Sequence, residues 1–201
     1  MDLFGGREDL AKGLLRCVGE PQERFEEDAL RILRALRFSA VYDFAIEERT
    51  AAAIHKLYPT LLRVAGERIR VELEKLLCGR AAGRILREYT DVITCLLPEL
   101  APSVGFEQHT PFHRWDVYEH IVRSVEEVRP ATPVLRLTML LHDSGKPEAF
   151  FMDENGVGHA WGHQKISARL AVGVLDRLHM DNASRDRILL LVEHHDIAIT
   201  P

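Results

Sequence analysis

The chain has 201 residues, 46% hydrophobic and 28% charged, enough apolar side chain for one large or two small packed domains. A net charge of −5 excludes a uniformly basic nucleic-acid coat, so any nucleic-acid surface must be a local patch. Cys17, Cys78 and Cys95 show no C-x-x-C spacing, which excludes a disulfide framework and a cysteine zinc site, and no apolar run approaches the ~18 residues that span a bilayer. With a charged N-terminal stretch, MDLFGGREDLAKG, where a signal peptide would be apolar, these features predict a cytoplasmic protein with no membrane partner.

In chain order, the segment FEEDALRILRALRF (25–38) carries Phe25, Ala29, Ile32, Leu33 and Leu36 at helical spacing and predicts a helix, with Asp28, Arg31, Arg34 and Arg37 at three-residue intervals. A second helix is expected over about 47–57, ended by Pro59, and a third over 66–78, with Gly79 as its stop signal. A fourth spans about 80–97 and stops before Pro98. The Pro-rich stretch 98–113 is the expected domain boundary. Beyond it, helices are predicted over 114–128, 134–142, 163–179 and 182–195. The stretch FFMDENGVGHAWG (150–162) is the one place for a short hairpin, because Glu-Asn-Gly-Val is a turn signal. The predicted class is all-α.

The two halves differ in chemistry. The first hundred residues hold one histidine, His55, and the remainder hold nine. Four segments carry the pattern: His120 in DVYEHIVRS, His142, Asp143 and Lys146 in LLHDSGKPE, His163 in GHQKISA, and His194, His195 and Asp196 in VEHHD. Imidazoles with a carboxylate suit a divalent ion such as Mn, Fe, Ni, Zn or Mg. Adjacent helical residues point about 100° apart, so His142 and Asp143 share an ion only if it sits beside their helix and other helices complete its shell. Such an ion activates water against a phosphate ester, and Lys146 offers a positive charge to the phosphate.

This order resembles the HD superfamily of metal-dependent phosphohydrolases, whose signature is H…HD…D. The resemblance implies His120, His142 and Asp143 as metal ligands and His142, Asp143 and Lys146 as the catalytic group. It also implies His163, His194 and His195 as the extra histidines of members that hold more than one metal. The family's last Asp comes from a later helix, so Asp196 is not expected to be that ligand, and the HD domain is expected to be truncated at its C-terminus. His113 and Asp116 precede His120 on its expected helix and are read as partners that orient a ligand or as cap or surface residues. Trp115 and Trp161 are expected to be core or loop anchors rather than base-stacking platforms.

Asp28 and Arg31 are expected to share a helix face. Alone they would be an ion pair of little consequence. A carboxylate beside a guanidinium also presents an acceptor next to donors, which complements the amine and ring nitrogen of cytosine or adenine and opposes uracil and guanine. Arg34 and Arg37 extend the face toward phosphates. The segments DLFGGREDL (2–10), RCVGEPQERFEEDALRILRALRF (16–38), GERIRVELEKLL (66–77) and LLPEL (96–100) resemble the tRNA CCA-adding nucleotidyltransferases and their bacterial poly(A) polymerase relatives. That resemblance implies a hinge over 1–20, a helical neck over 21–100 that selects nucleotides and binds RNA, and an HD domain over 101–201. It implies Asp28 and Arg31 as readers of CTP and ATP, a tRNA or other RNA 3′ end as partner, and Mg for transfer.

The family's catalytic head carries a Gly-Ser motif and a D-x-D pair. This sequence contains no D-x-D. It is therefore expected to be a fragment that does not transfer nucleotides alone. The competing expectations are a free-standing HD phosphohydrolase acting on nucleotides or 2′,3′-cyclic and terminal phosphates, and a non-catalytic RNA-binding module.

Overall fold

The structure is a computed structural model that describes Asp2 and residues 4–110 and 114–197. His113 and the residues after Ile197 lie outside that range. The chain divides into two compact units, Met1–Leu96 and Leu97–Pro201. Among the described residues nearly all of the regular structure is helical, as an all-α chain requires. Among those residues no helix is long and apolar enough to cross a membrane.

The first unit holds α1 (Gly6–Lys12), α2 (Pro21–Glu27), α3 (Leu30–Tyr42), α4 (Glu48–Leu57), a 3-10 helix (Tyr58–Arg63), α5 (Gly66–Leu77), α6 (Ala82–Glu88) and α7 (Thr90–Leu96). Two two-residue strands, β1 (Leu14–Leu15) and β2 (Ala45–Ile46), pair in parallel. The core lies between α3 and α5. It is built from Ile32, Leu33, Leu36, Leu73, Leu76 and Leu77, all fully or nearly fully buried. These residues recur at the three-to-four-residue period that puts them on one face of each helix. Glycine is required at position 79, because a Cβ there would lie 2.7 Å from the backbone carbonyl of Ala40. That close approach lets the Ala81 amide donate to the same carbonyl at 2.9 Å.

The helix expected to run unbroken through 25–38 is interrupted. Asp28 adopts an extended backbone (φ −149°, ψ 102°) between α2 and α3, and its Oδ1 accepts from the Leu30 amide at 3.2 Å. Aspartate competes with the helix for its own backbone hydrogen bonds, so it caps a turn more readily than it continues one. The helix expected over 80–97 is likewise split, at Tyr89, into α6 and α7. Pro59 begins the 3-10 helix rather than only ending α4.

The second unit opens with a 3-10 helix (Pro98–Ser103). It continues with α8 (Val117–Glu127), α9 (Pro133–Leu141), the short α10 (Lys146–Ala149), strands β3 (Phe151–Met152) and β4 (Gly158–His159), α11 (His163–Arg177) and α12 (Asn182–Glu193). The strands pair antiparallel, Phe151 with His159, as the turn signal anticipated. α9 packs against α8 and α12, and α11 against α12 and α10. Ile121, Val122, Leu140, Leu141, Val174 and Ile188 form their shared core. Three of these helices start on side-chain caps: Asp116 accepts from the Glu119 amide, Thr132 from Leu135 and Asp181 from Ser184. Asp116 is thus the cap of α8, one of the roles read from the sequence.

Candidate functional site

Helix α9 ends at Leu141, and the chain turns through His142, Asp143, Ser144 and Gly145 before α10 begins. This turn lies against the start of α11. The Gly145 amide donates to Ser167 Oγ at 2.9 Å, and a Cβ on Gly145 would sit 2.6 Å from the backbone oxygen of His163 and the amide of Ser167. Only glycine permits that contact. Asp143 is consequently 1% exposed and surrounded by nitrogen. Its Oδ2 lies 3.2 Å from His120 Nε2, 3.3 Å from His142 Nε2 and 2.8 Å from Lys146 Nζ. Its Oδ1 lies 3.0 Å from His163 Nε2 and 3.3 Å from His195 Nε2.

The histidines are oriented from behind. Nδ1 of His142 lies 2.7 Å from the Met139 carbonyl, that of His163 2.8 Å from Ala160, and that of His195 2.7 Å from Val192. A carbonyl only accepts, so each Nδ1 carries the hydrogen, and in the neutral ring each Nε2 presents a lone pair inward. The inward nitrogens also face one another, His142 with His120 at 3.3 Å and His163 with His195 at 3.2 Å. Neither Asp143 oxygen accepts a well-aligned hydrogen bond although both are buried. Lone pairs facing a buried carboxylate are stable only around positive charge.

Two ligand groups share Asp143: His120, His142 and Asp143, and Asp143, His163 and His195. The donor set of imidazole and carboxylate fits Mn, Fe, Ni, Zn or Mg. Without an ion, burial by itself would raise the Asp143 carboxyl, but His142, with His120 and His163, holds it well below the usual carboxylate range by turning charged, donating imidazoles toward it. Burial likewise opposes the charged form of His195, yet Asp143 and the Val192 carbonyl hold that imidazole above its ordinary value.

His194 departs from expectation. It stands at the C-terminal cap of α12 with its side chain exposed and joins neither group. Successive residues at a helix end point in different directions, and the Val192 bond that turns His195 inward leaves His194 outward. Asp196, set aside in the sequence, instead brings its carboxylate to 3.5 Å from His163 and 3.5 Å from His195. Gln108 was not anticipated either. Its Oε1 accepts from Lys146 Nζ at 3.2 Å and holds that ammonium beside Asp143. The only sequence signal for such a residue is a buried amide in the loop before α8.

In the first unit the expected Asp28–Arg31 face is not formed. Arg31 NH1 bonds Glu27 at 2.6 Å and the Arg24 carbonyl at 3.0 Å, while Asp28 Oδ2 accepts from Arg68 on α5 at 3.2 Å. The break at Asp28 moves its carboxylate off the α3 face that carries Arg31. Arg37 is tied to Glu72 at 2.5 Å, with both side chains largely buried, and its guanidinium lies over the Phe38 ring. It holds α3 to α5 rather than facing phosphate. Arg34 is exposed, and with Arg16 and Arg31 it lines a cavity of about 300 Å³ floored by Leu15, Phe25 and Phe38.

Residues 43–103 match the family model described as the probable RNA- and SrmB-binding site of polymerase A. An A-adding tRNA nucleotidyltransferase of Deinococcus radiodurans is 33% identical over 211 aligned positions, covering 99% of this chain and 48% of that protein. A CCA-adding enzyme of Bacillus licheniformis is 50% identical over 135 positions, covering 61% of this chain and 34% of its own length. The chain is thus similar, over nearly its whole length, to a tRNA nucleotidyltransferase. The crystal structure of the Bacillus stearothermophilus CCA-adding enzyme in complex with CTP superimposes with a TM-score of 0.57 at 26% identity, over 98% of this chain and 42% of that one. The chain spans about half the length of the Deinococcus radiodurans and Bacillus stearothermophilus relatives, and the likeness supports a C-terminal portion of a CCA-adding enzyme.

Proposed function

We propose that residues 101–201 form an HD-type metal-dependent phosphohydrolase domain, attached to a neck over 21–100 that selects nucleotides and contacts RNA within a tRNA nucleotidyltransferase. The observation that carries the phosphohydrolase reading is Asp143, a buried carboxylate with no well-aligned hydrogen bond, shared by two histidine groups that turn their Nε2 atoms inward. His120 and His142 would hold an ion on the Oδ2 side, and His163 and His195 on the Oδ1 side. A divalent ion there supplies Lewis-acid polarisation of a phosphoryl oxygen and a nucleophile at neutral pH. The chain's own groups do the rest. Lys146 lines the adjoining cavity and offers its ammonium to a phosphate oxygen. Gln108 fixes that ammonium, and Asp196, at the rim, is the accessible carboxylate placed to take up a proton.

Assay of the metal-loaded chain against 2′,3′-cyclic and monophosphate nucleotides tests this. Turnover that disappears with chelator and with Asp143→Asn is expected. No turnover in a chain that retains metal would rule the activity out.

For the neck, the supporting observations are the RNA-binding family match over 43–103 and the arginine-lined cavity beside α3. The relatives named for CCA and A addition, and a related enzyme bound to CTP, point to CTP, ATP and a tRNA 3′ end as partners of the intact protein. Asp28 and Arg31, once released from Arg68 and Glu27, read the base edge in this account, with Arg34 toward phosphate. Arg68 holds Asp28 until a base replaces it. Mg for transfer is expected on a catalytic head.

In the parent protein with its head, Asp28→Ala should erode the preference for C and A over U and G. Unchanged selectivity would sink the assigned role.

The stand-alone phosphohydrolase remains the second reading. It is favoured by the fact that the metal-ligand groups lie wholly within the second unit.

A further inference from the structure

Beside the histidine cluster lies a cavity of about 360 Å³, of the size that small-molecule sites occupy. Its chemistry is divided. One part is polar and belongs to the cluster: Lys146, His163 and Asp196. Another is aromatic, and includes Phe106, Phe150, His159 and Trp161.

Trp161 is the informative residue. It is 74% exposed, the most exposed of the large apolar side chains among the described residues. It is not loosely held. Its ring meets Phe151 edge-on at 4.9 Å (73°) and His159 at 4.9 Å (41°), and Phe151 in turn lies 5.4 Å from His159. His159 is anchored by Asp153, whose Oδ2 lies 2.9 Å from His159 Nε2. The other oxygen of Asp153 accepts from the Asn155 and Val157 amides at 2.9 Å each and closes the β3–β4 turn. A broad π-face is therefore fixed in place with most of its area open to solvent, at the edge of a cavity that leads to a cationic pole. The expectation of Trp161 as a core or loop anchor fails here: the hairpin anchors Trp161, and Trp161 buries little.

We propose that Trp161, braced by Phe151 and His159, is a base-stacking platform that makes the histidine site selective for nucleotides over other phosphate esters. The base lies on Trp161 and the phosphate points toward Lys146 and the cluster. Stacking tolerates any base, since every base has a π-face, so selection is for a nucleotide and not for one sequence. A free nucleotide and the terminal nucleotide of an RNA strand share this chemistry. The proposal rests on the phosphohydrolase reading for the orientation of the phosphate, but the platform is measurable without turnover.

The chain has two tryptophans, so Trp115→Phe leaves Trp161 as the sole indole reporter. Adenosine 3′-monophosphate, ribose 5-phosphate, inorganic phosphate and a short oligoribonucleotide ending in a 3′-phosphate are titrated with and without Mg. Saturable quenching by the two base-bearing probes and none by the other two is the expected result. Tighter binding of the oligonucleotide than of the mononucleotide would assign the site to RNA ends, and the reverse to free nucleotides.

By calorimetry in the otherwise native chain, Trp161→Ala should weaken adenosine 3′-monophosphate about 10-fold and leave ribose 5-phosphate unchanged. In the metal-loaded chain it should raise KM for the nucleotide and spare kcat. Equal affinity for nucleotide and ribose phosphate, or an unchanged affinity in Trp161→Ala, overturns the platform even if hydrolysis persists. Base-dependent quenching without hydrolysis upholds the platform and rejects the phosphohydrolase reading instead.

Discussion

Asp143 Oδ1 and His163 Nε2 meet at 3.0 Å, and they do so because Gly145, between α9 and α11, has no side chain. The proposed metal centre is thus built by a backbone contact as much as by the side chains that would ligate the ion. Gly145→Ala should destabilise the chain by about 1–3 kcal/mol, the usual cost of overpacking. It should also weaken Mn or Zn retention at least about 10-fold, the usual cost of disturbing the groups that orient a metal ligand. Chemical denaturation and metal titration together check this, and normal metal affinity in a destabilised variant would refute the positional role.

The two adjacent histidines should separate cleanly. His195→Ala removes a proposed ligand whose ring is fixed by the Val192 carbonyl and should lower metal content, whereas His194→Ala should match the native chain. Elemental analysis of both variants decides it. Equal losses would mean that His194 swings inward.

Arg34 and Arg37, alike in the sequence, should differ in kind. Arg37→Ala leaves Glu72 largely buried without its partner and should cost about 2–3 kcal/mol. Arg34→Ala should leave stability within about 0.5 kcal/mol but reduce tRNA affinity and flatten its salt dependence by roughly one phosphate contact. Thermal denaturation and a salt-titrated binding assay test the pair.

Glu47 caps α4 by accepting from the Thr50 amide and hydroxyl, each at 2.8 Å. Burial opposes its ionisation, yet the Thr50 and Arg49 amides and Arg16 hold its carboxyl below the usual range. A depressed folded value means that stabilisation is full above the unfolded value and is lost as pH falls through the folded one. Glu47→Ala should therefore cost about 1 kcal/mol near neutrality, with the gap to the native chain narrowing below about pH 4.5. A constant gap across that range would contradict the assignment.

Much of this was legible in the sequence because period and punctuation carry it. The α5 helix follows its apolar spacing to the Gly79 stop, and the β3–β4 turn follows Glu-Asn-Gly-Val. The convergence of His120, His142, Asp143, His163 and His195 was legible because four separated histidine segments around His-Asp have few structural alternatives.

What was not legible is direction. Composition does not say that Asp28 will leave the helix to cap it, that Arg37 will turn to Glu72, or that His194 will face out while His195 faces in. Nor does it announce Gln108 or Arg68, whose roles exist only once distant segments meet. Trp161 shows the same limit: its residue type suggested burial, and the hairpin geometry holds it in solvent.

The most direct test of the central claim is metal stoichiometry of the purified chain and of Asp143→Asn after loading with Mn or Zn and desalting. The account expects at least one equivalent retained by the native chain and none by the variant, with both equally folded by circular dichroism. A native chain that retains no metal, or an Asp143→Asn chain that retains as much, would contradict it.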